Sequence, residues 1–128
     1  MCGRFTLTID PYDLRERLDL GDIPQDMQPR YNISPGELVP VVNDGITRNV
    51  HYMSWGLVPH WSKDRTIGYK MINARSETLS EKPAFRASFA NKRCLILADG
   101  FYEWKKPVRS MNQSIPYYVR LVANQPFA

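Results

Sequence analysis

Apolar positions in this chain fall mostly in short runs with a period of two, broken by prolines and glycines. Phe5, Leu7 and Ile9 alternate with small or polar residues, which predicts a strand over 2–8 with one face buried. Asp10-Pro11 opens a helix, with Asp10 as its cap, Pro11 at the first helical position and Asp13 in the first turn. Leu14 and Leu18 share one face of it, Arg15, Glu16 and Arg17 face water, and Gly21 is the expected stop. Residues 22–30 read as an acidic surface loop, and Arg30 to Gly36 as a turn punctuated by Pro35-Gly36. Leu38 to Val42 is β-rich, Asn43-Asp44-Gly45 is a hairpin signal, and Thr47 to Met53 is the expected returning strand.

From Trp55 to Trp61 two tryptophans flank glycine and proline, as in a core plug or a stacking platform. In Met71 to Arg75 an apolar start gives way to polar residues, and Asn73 and Arg75 share a face of an extended segment. A short helix is predicted over 81–91, starting near Pro83, with Phe85 and Phe89 on its core face. Arg93 to Ala98 is nearly continuous apolar sequence and reads as a central strand that packs Cys94 as an inert thiol. Asp99 to Trp104 predicts a further strand, with Tyr102 and Trp104 on one face and Phe101 and Glu103 on the other. A polar loop over 105–114 and a strand over 117–122 follow. The expected class is α+β and β-dominated, with residues 1–128 forming one domain.

Hydrophobic residues make up 43% and charged residues 23%, as in an ordinary globular chain, and ten prolines argue against a helical bundle. No apolar run approaches a membrane span and no basic-then-apolar leader precedes the fold, so a cytoplasmic location without membrane contact is expected. Cys2 and Cys94 are the only cysteines and lack metal-ligand spacing, so neither disulfides nor a metal is expected. The net charge of +4 is unevenly spread: residues 1–45 carry four Lys/Arg against eight Asp/Glu, and residues 60–93 carry eight against three. A basic middle suits a phosphate-backbone partner, although a solvated basic surface has the same composition.

The candidate chemistry begins at Met1-Cys2-Gly3-Arg4-Phe5. Removal of Met1, which a small second residue permits, would leave a cysteine with its amine and thiol on adjacent carbons. The amine can condense with an aldehyde and the thiolate can close on the imine to give a thiazolidine. Both groups titrate at about pH 8, so their nucleophilic forms are available near neutrality. The alternative is a small buried cysteine without a role. Glu103 has aromatic neighbours, which makes it a candidate for proton transfer; the alternative is a salt-bridged glutamate.

Five ordered motifs resemble the SOS response-associated peptidase family, which includes sensors of abasic sites in single-stranded DNA. They are Cys2-Gly3-Arg4-Phe5, Arg30-Tyr31-Asn32 with Pro35-Gly36, Trp55-Gly56-Leu57-Val58-Pro59, Ile72 to Glu77, and Ala98 to Trp104. The resemblance implies a curved or barrel-like antiparallel sheet with short peripheral helices. It implies that Cys2 attacks the ring-opened sugar aldehyde and forms a thiazolidine DNA–protein crosslink. Asn73 would hold the terminal cysteine and the sugar, and Glu103 would shuttle protons. Arg4 and Arg75 would contact flanking phosphates, while Pro35 and Trp61 would form a wedge against unpaired bases. No cofactor is implied; the partner is single-stranded DNA carrying abasic sites, with nucleoid association when bound.

The family also has a catalytic histidine in the last third of a longer domain, whereas His51 and His60 lie in none of the motifs. The chain is therefore expected to be the N-terminal two-thirds of the family domain, or a short version completed by another chain. An uncovered sheet edge would then invite self-association. Two other functions compete with covalent capture. One is a cysteine peptidase that processes Met1 itself; the other is a non-covalent single-stranded DNA-binding module.

Overall fold

The computed structural model describes residues 2–43, 45–105 and 114–128. Met1, the hairpin residue Asp44 and most of the predicted 105–114 loop lie outside the described residues. The expected α+β, β-dominated class is what the chain adopts. Its strands are β1 (Phe5–Leu7), β2 (Arg30–Ile33), β3 (Leu38–Val42), β4 (Val50–Ser54), β5 (Leu95–Ile96), β6 (Gly100–Lys105) and β7 (Ile115–Val119). Its α-helices are α1 (Pro11–Leu18) and α2 (Arg86–Asn91). The strands form two antiparallel sheets, a four-stranded one in the order β2-β1-β6-β7 and a three-stranded one in the order β4-β3-β5.

The two sheets share a core. Phe5, Leu7 and Ile33 come from the larger sheet, Val39, Val41, Val42 and Val50 from the smaller one, and Leu14 from α1. The chain crosses between the sheets twice, once from β2 to β3 and again through buried Leu97, Ala98 and Asp99. At the second crossing Leu97 N–H donates to the Pro40 carbonyl, and Asp99 N–H donates to the Thr6 carbonyl. The backbone is thus handed from one ladder to the other without losing its bonds.

Several elements form as predicted and for the predicted reason. Asp10 accepts from Tyr12 N–H and caps α1, Pro11 opens it, and Leu14 is fully buried. The β3 strand has the predicted bounds. Gly36 sits in the turn after β2 with φ 88°, a conformation that glycine adopts without the Cβ penalty.

Other elements differ. All three residues of β1 are buried, because Thr6 faces Asp99 and Tyr118 instead of water. Helix α1 ends at Asp19, itself left-handed at φ 49°, before Gly21 is reached. Arg30 to Ile33 is strand, not turn. The return from β3 begins only at Val50, paired with Val42, so the connection is longer than a tight hairpin. Helix α2 starts at Arg86, and Phe89 is exposed on it. The predicted central strand is the two-residue edge strand β5, with Leu95, Ile96 and Cys94 exposed, because β3 alone pairs with it. The last predicted strand lies earlier, at Ile115–Val119, and leaves Leu121 and Val122 exposed.

Candidate functional site

The amino terminus runs into β1, and β1 lies between β2 and β6. Beyond the paired strand, the Arg4 carbonyl accepts from Tyr102 N–H at 2.9 Å, so residue 4 is still anchored to β6. Cys2 is half-buried just outside this anchor, and its thiol lies 3.7 Å from the Arg4 carbonyl oxygen. The Asn73 amide nitrogen donates to the Cys2 carbonyl at 2.9 Å, a link across 71 positions of sequence. Trp55 shapes the ground between them. Its ring meets Phe5 edge-on at 5.2 Å, and its Nε1 donates to the Ile72 carbonyl at 3.3 Å, next to Asn73.

A cavity of about 310 Å³ opens beside this group. Cys2, Phe5, Trp55, Asn73 and Phe101 line it, with Phe127 and Ala128 on a further wall. It is largely apolar, with the thiol and the amide as its chemically distinct groups. Burial pushes the Cys2 thiol above its usual range; the Arg4 backbone opposes this, and the Glu103 carboxylate pushes it further up. Phe5 and Phe101 are directly paired neighbours, and Glu103, two residues on, shares the face of β6 that carries Phe101.

The fold thus brings Cys2 and Asn73 together at one cavity, while Glu103, on β6, does not line it. Arg4 is adjacent, with its guanidinium donating to Asn32 Oδ1 at 2.9 Å. Arg75 is exposed and lines a neighbouring cavity that also includes Asn73. Pro35 lies in the turn whose Gly36 N–H donates to the Trp55 carbonyl at 2.8 Å. Trp61 is 55% exposed, so it is no core plug. Neither Pro35 nor Trp61 lines the Cys2 cavity, and nor do the exposed His51 and His60. Among the described residues there is no cluster of metal-ligating side chains and no helix long and apolar enough to cross a membrane.

The residue that sequence reasoning missed is Asp99. It is 5% exposed, and its carboxylate accepts from the Thr6 and Thr8 hydroxyls and from the backbone N–H groups of Thr8 and Ile9. Burial alone would raise its pKa, but these four bonds outweigh burial and hold the carboxyl below its usual range. They tie the end of β1 to the start of β6, which fixes the strand that delivers Cys2. The only sequence signal was Asp99-Gly100 at the head of an aromatic strand. A Cβ on Gly100 would lie 2.4 Å from the Tyr118 ring, so the glycine lets that ring close over the strand and reach Thr6.

The chain as a whole is similar to known proteins. The abasic site processing protein YoaM of Bacillus subtilis is 44% identical over 135 residues, which cover all of this chain and 57% of YoaM. The abasic site processing protein HMCES of Xenopus tropicalis is 35% identical over 145 residues, covering 93% of this chain and 42% of HMCES. A solved structure from Bacteroides thetaiotaomicron shares the fold at a TM-score of 0.80 and 22% identity, covering 98% of this chain and 57% of that one. This chain therefore spans little more than half the length of these bacterial relatives. The family described as SOS response associated peptidase (SRAP) matches residues 1–128, and the chain belongs to that family.

Proposed function

We propose that this chain captures abasic sites in single-stranded DNA covalently through Cys2, once Met1 has been removed. The observation that carries the reading is the Asn73–Cys2 bond, which holds residue 2 at the mouth of a sugar-sized cavity within reach of the Glu103 charge. The names of the bacterial and vertebrate relatives support the substrate.

The chemistry uses this chain's own groups. The ring-opened sugar presents an aldehyde. The Cys2 amine adds to its carbonyl carbon to give a carbinolamine, which loses water to form an imine. The Cys2 sulfur then adds to the imine carbon while its proton passes to the nitrogen, closing the thiazolidine. Aldehyde, amine and thiol become one ring and one water, and no oxidant is needed. Glu103 relays the protons of ring opening and dehydration, and Asn73 keeps the backbone of residue 2 in place. Arg4 and Arg75 contact phosphates on either side, and exposed Trp61 and the Pro35 turn meet the unpaired bases. This makes the chain a DNA-processing enzyme acting on cytoplasmic, nucleoid-associated DNA. The edge strands β5 and β7 carry exposed apolar side chains, which supports self-association there. A chain that stays monomeric at high concentration would exclude it.

The test is incubation with a single-stranded oligonucleotide bearing one abasic site. The expected result is a shifted band that survives boiling in detergent and disappears in Cys2→Ala, while ordinary DNA binding persists. A band retained by Cys2→Ala overturns the reading. Cys2-dependent cleavage of an unrelated peptide, without a DNA adduct, would return the chain to the peptidase chemistry of its family description.

A further inference from the structure

Away from the Cys2 cavity the chain carries a second cleft, of about 760 Å³, which shares no residue with it. Two stretches of sequence shape this cleft. In the segment after β4, Pro59 is buried and its carbonyl accepts from Ser62 N–H at 2.9 Å, which turns the chain back. Helix α2 ends where Lys92 N–H donates to the Ser88 carbonyl at 2.8 Å, and the pairing of Leu95 with Val42 then sets Lys92 to Cys94 near the end of β3. Met53, Leu57, Val58, Pro59, Ala84 and Ala87 give the cleft an aliphatic lining, in which Met53 and Val58 are 39% and 36% exposed. Lys92 and Arg93 line it as well; both are exposed and form no ion pair among the described residues. No described aspartate or glutamate lines it.

We propose that this cleft is a docking site for an acidic peptide segment of a partner protein. The segment seats an aliphatic side chain against Met53, Leu57 and Val58 and sets its carboxylates on Lys92 and Arg93. The lining selects this occupant. Uncovered aliphatic groups with cations beside them complement a segment that carries aliphatic and acidic side chains together. Arg93 offers a planar fork that can hold a carboxylate through two bonds, and Lys92 adds a mobile point charge. A single-stranded nucleic acid would meet the same cations, but among the described residues the one ring in the lining is the His60 imidazole. Successive bases would find no platform to stack on. The site is independent of the chemistry at Cys2, since none of its lining residues reaches that cavity.

The experiment follows the fluorescence anisotropy of a labelled hexapeptide, four aspartates followed by leucine and isoleucine, titrated with the full chain. The wild type should bind it, and binding should weaken about tenfold when serines replace either the aspartates or the two aliphatic residues. The double variant Lys92→Glu, Arg93→Glu should lose at least about tenfold in affinity and should instead bind the matching peptide that has lysines for aspartates. Ala87→Phe, a change at an exposed position that fills the cleft and leaves the charge untouched, should also weaken binding about tenfold. Unchanged circular dichroism in the variants would assign these losses to the cleft. An acidic peptide that the wild type does not bind, or that all three proteins bind equally, overturns the inference. So does full displacement of the peptide by undamaged oligothymidine, which would make the cleft a groove for DNA.

Discussion

Asp99 and Glu103 are carboxylates four positions apart on one stretch of chain, and the fold gives them opposite occupations. Asp99 sits at the corner where the chain crosses between sheets, with its oxygens filled by Thr6, Thr8 and Ile9. Glu103 lies half-buried on β6, on the face of Phe101, with its charge felt at the Cys2 sulfur. A carboxylate whose lone pairs are occupied by buried donors holds strands together and is poorly suited to passing protons. One whose charge acts on a nucleophile is placed to do so. Residue type does not separate the two; their places in the fold do, one buried at the corner between the sheets and the other on β6 beyond Phe101.

The sharpest way to break this contrast is to neutralise each carboxylate in turn. Glu103→Gln is expected to lower the rate of covalent capture roughly 10²–10⁴-fold, as for loss of a general acid–base, while the urea midpoint stays near wild type. Asp99→Ala should do the reverse. It strands the Thr8 hydroxyl and two backbone N–H groups and leaves the Thr6 hydroxyl only Gly100 and Tyr118, at a cost of about 3 kcal/mol, a large part of a typical domain's stability. The fraction that remains folded should react at the wild-type rate. Rate and urea midpoint measured on both variants decide it: if Glu103→Gln unfolds and Asp99→Ala stays stable but unreactive, the assignment is reversed.

A smaller effect follows from acid. The Asp99 carboxyl is held below its usual range in the folded chain, so the folded state binds its proton less readily than the unfolded state. Its stabilisation is fully present above the unfolded value of about 3.9 and is lost as pH falls through the lower folded value. Urea midpoints followed downward from pH 5 should fall in the wild type. In Asp99→Asn, which has no carboxyl there to protonate, the fall should be shallower. Parallel curves would show that other carboxylates set the acid limb.

The legible and illegible parts of the chain divide along the same line as the two carboxylates. Helix α1 was readable because its cap, Asp10-Pro11, is local chemistry, and β3 was readable because Leu38 to Val42 is bounded by Gly36-Glu37 and Asn43. The stop of α1 was misplaced because an aspartate, Asp19, took the left-handed position expected of glycine. Strand β5 was misread because an apolar run shows only that something should cover it, not that anything does; Leu95 and Ile96 stand at a sheet edge. Within the site, Cys2 was readable from its own terminal chemistry. Its link to Asn73 spans 71 positions and the Asp99 clamp spans more than 90, so no window of sequence contains either. Asn73 was reached through family motifs, and Asp99, inside one of those motifs, had no chemistry to distinguish it from a turn residue.

The finest test of the contrast is the titration of the Cys2 thiol itself, read as the pH dependence of its alkylation in a Cys94→Ser background. Burial is the main reason the thiol sits above its usual range, and the Glu103 carboxylate adds a lesser push in the same direction. A negative charge nearby disfavours the thiolate, so removing it should favour it. Glu103→Gln is therefore expected to move the alkylation profile to lower pH, still above that of an unhindered cysteine because burial remains. Asp99→Asn, whose charge is not among the influences on that thiol, should leave the profile in place. A profile that moves with Asp99→Asn and not with Glu103→Gln would mean that the carboxylate acting on Cys2 had been misidentified, and with it the proton relay of the proposed capture.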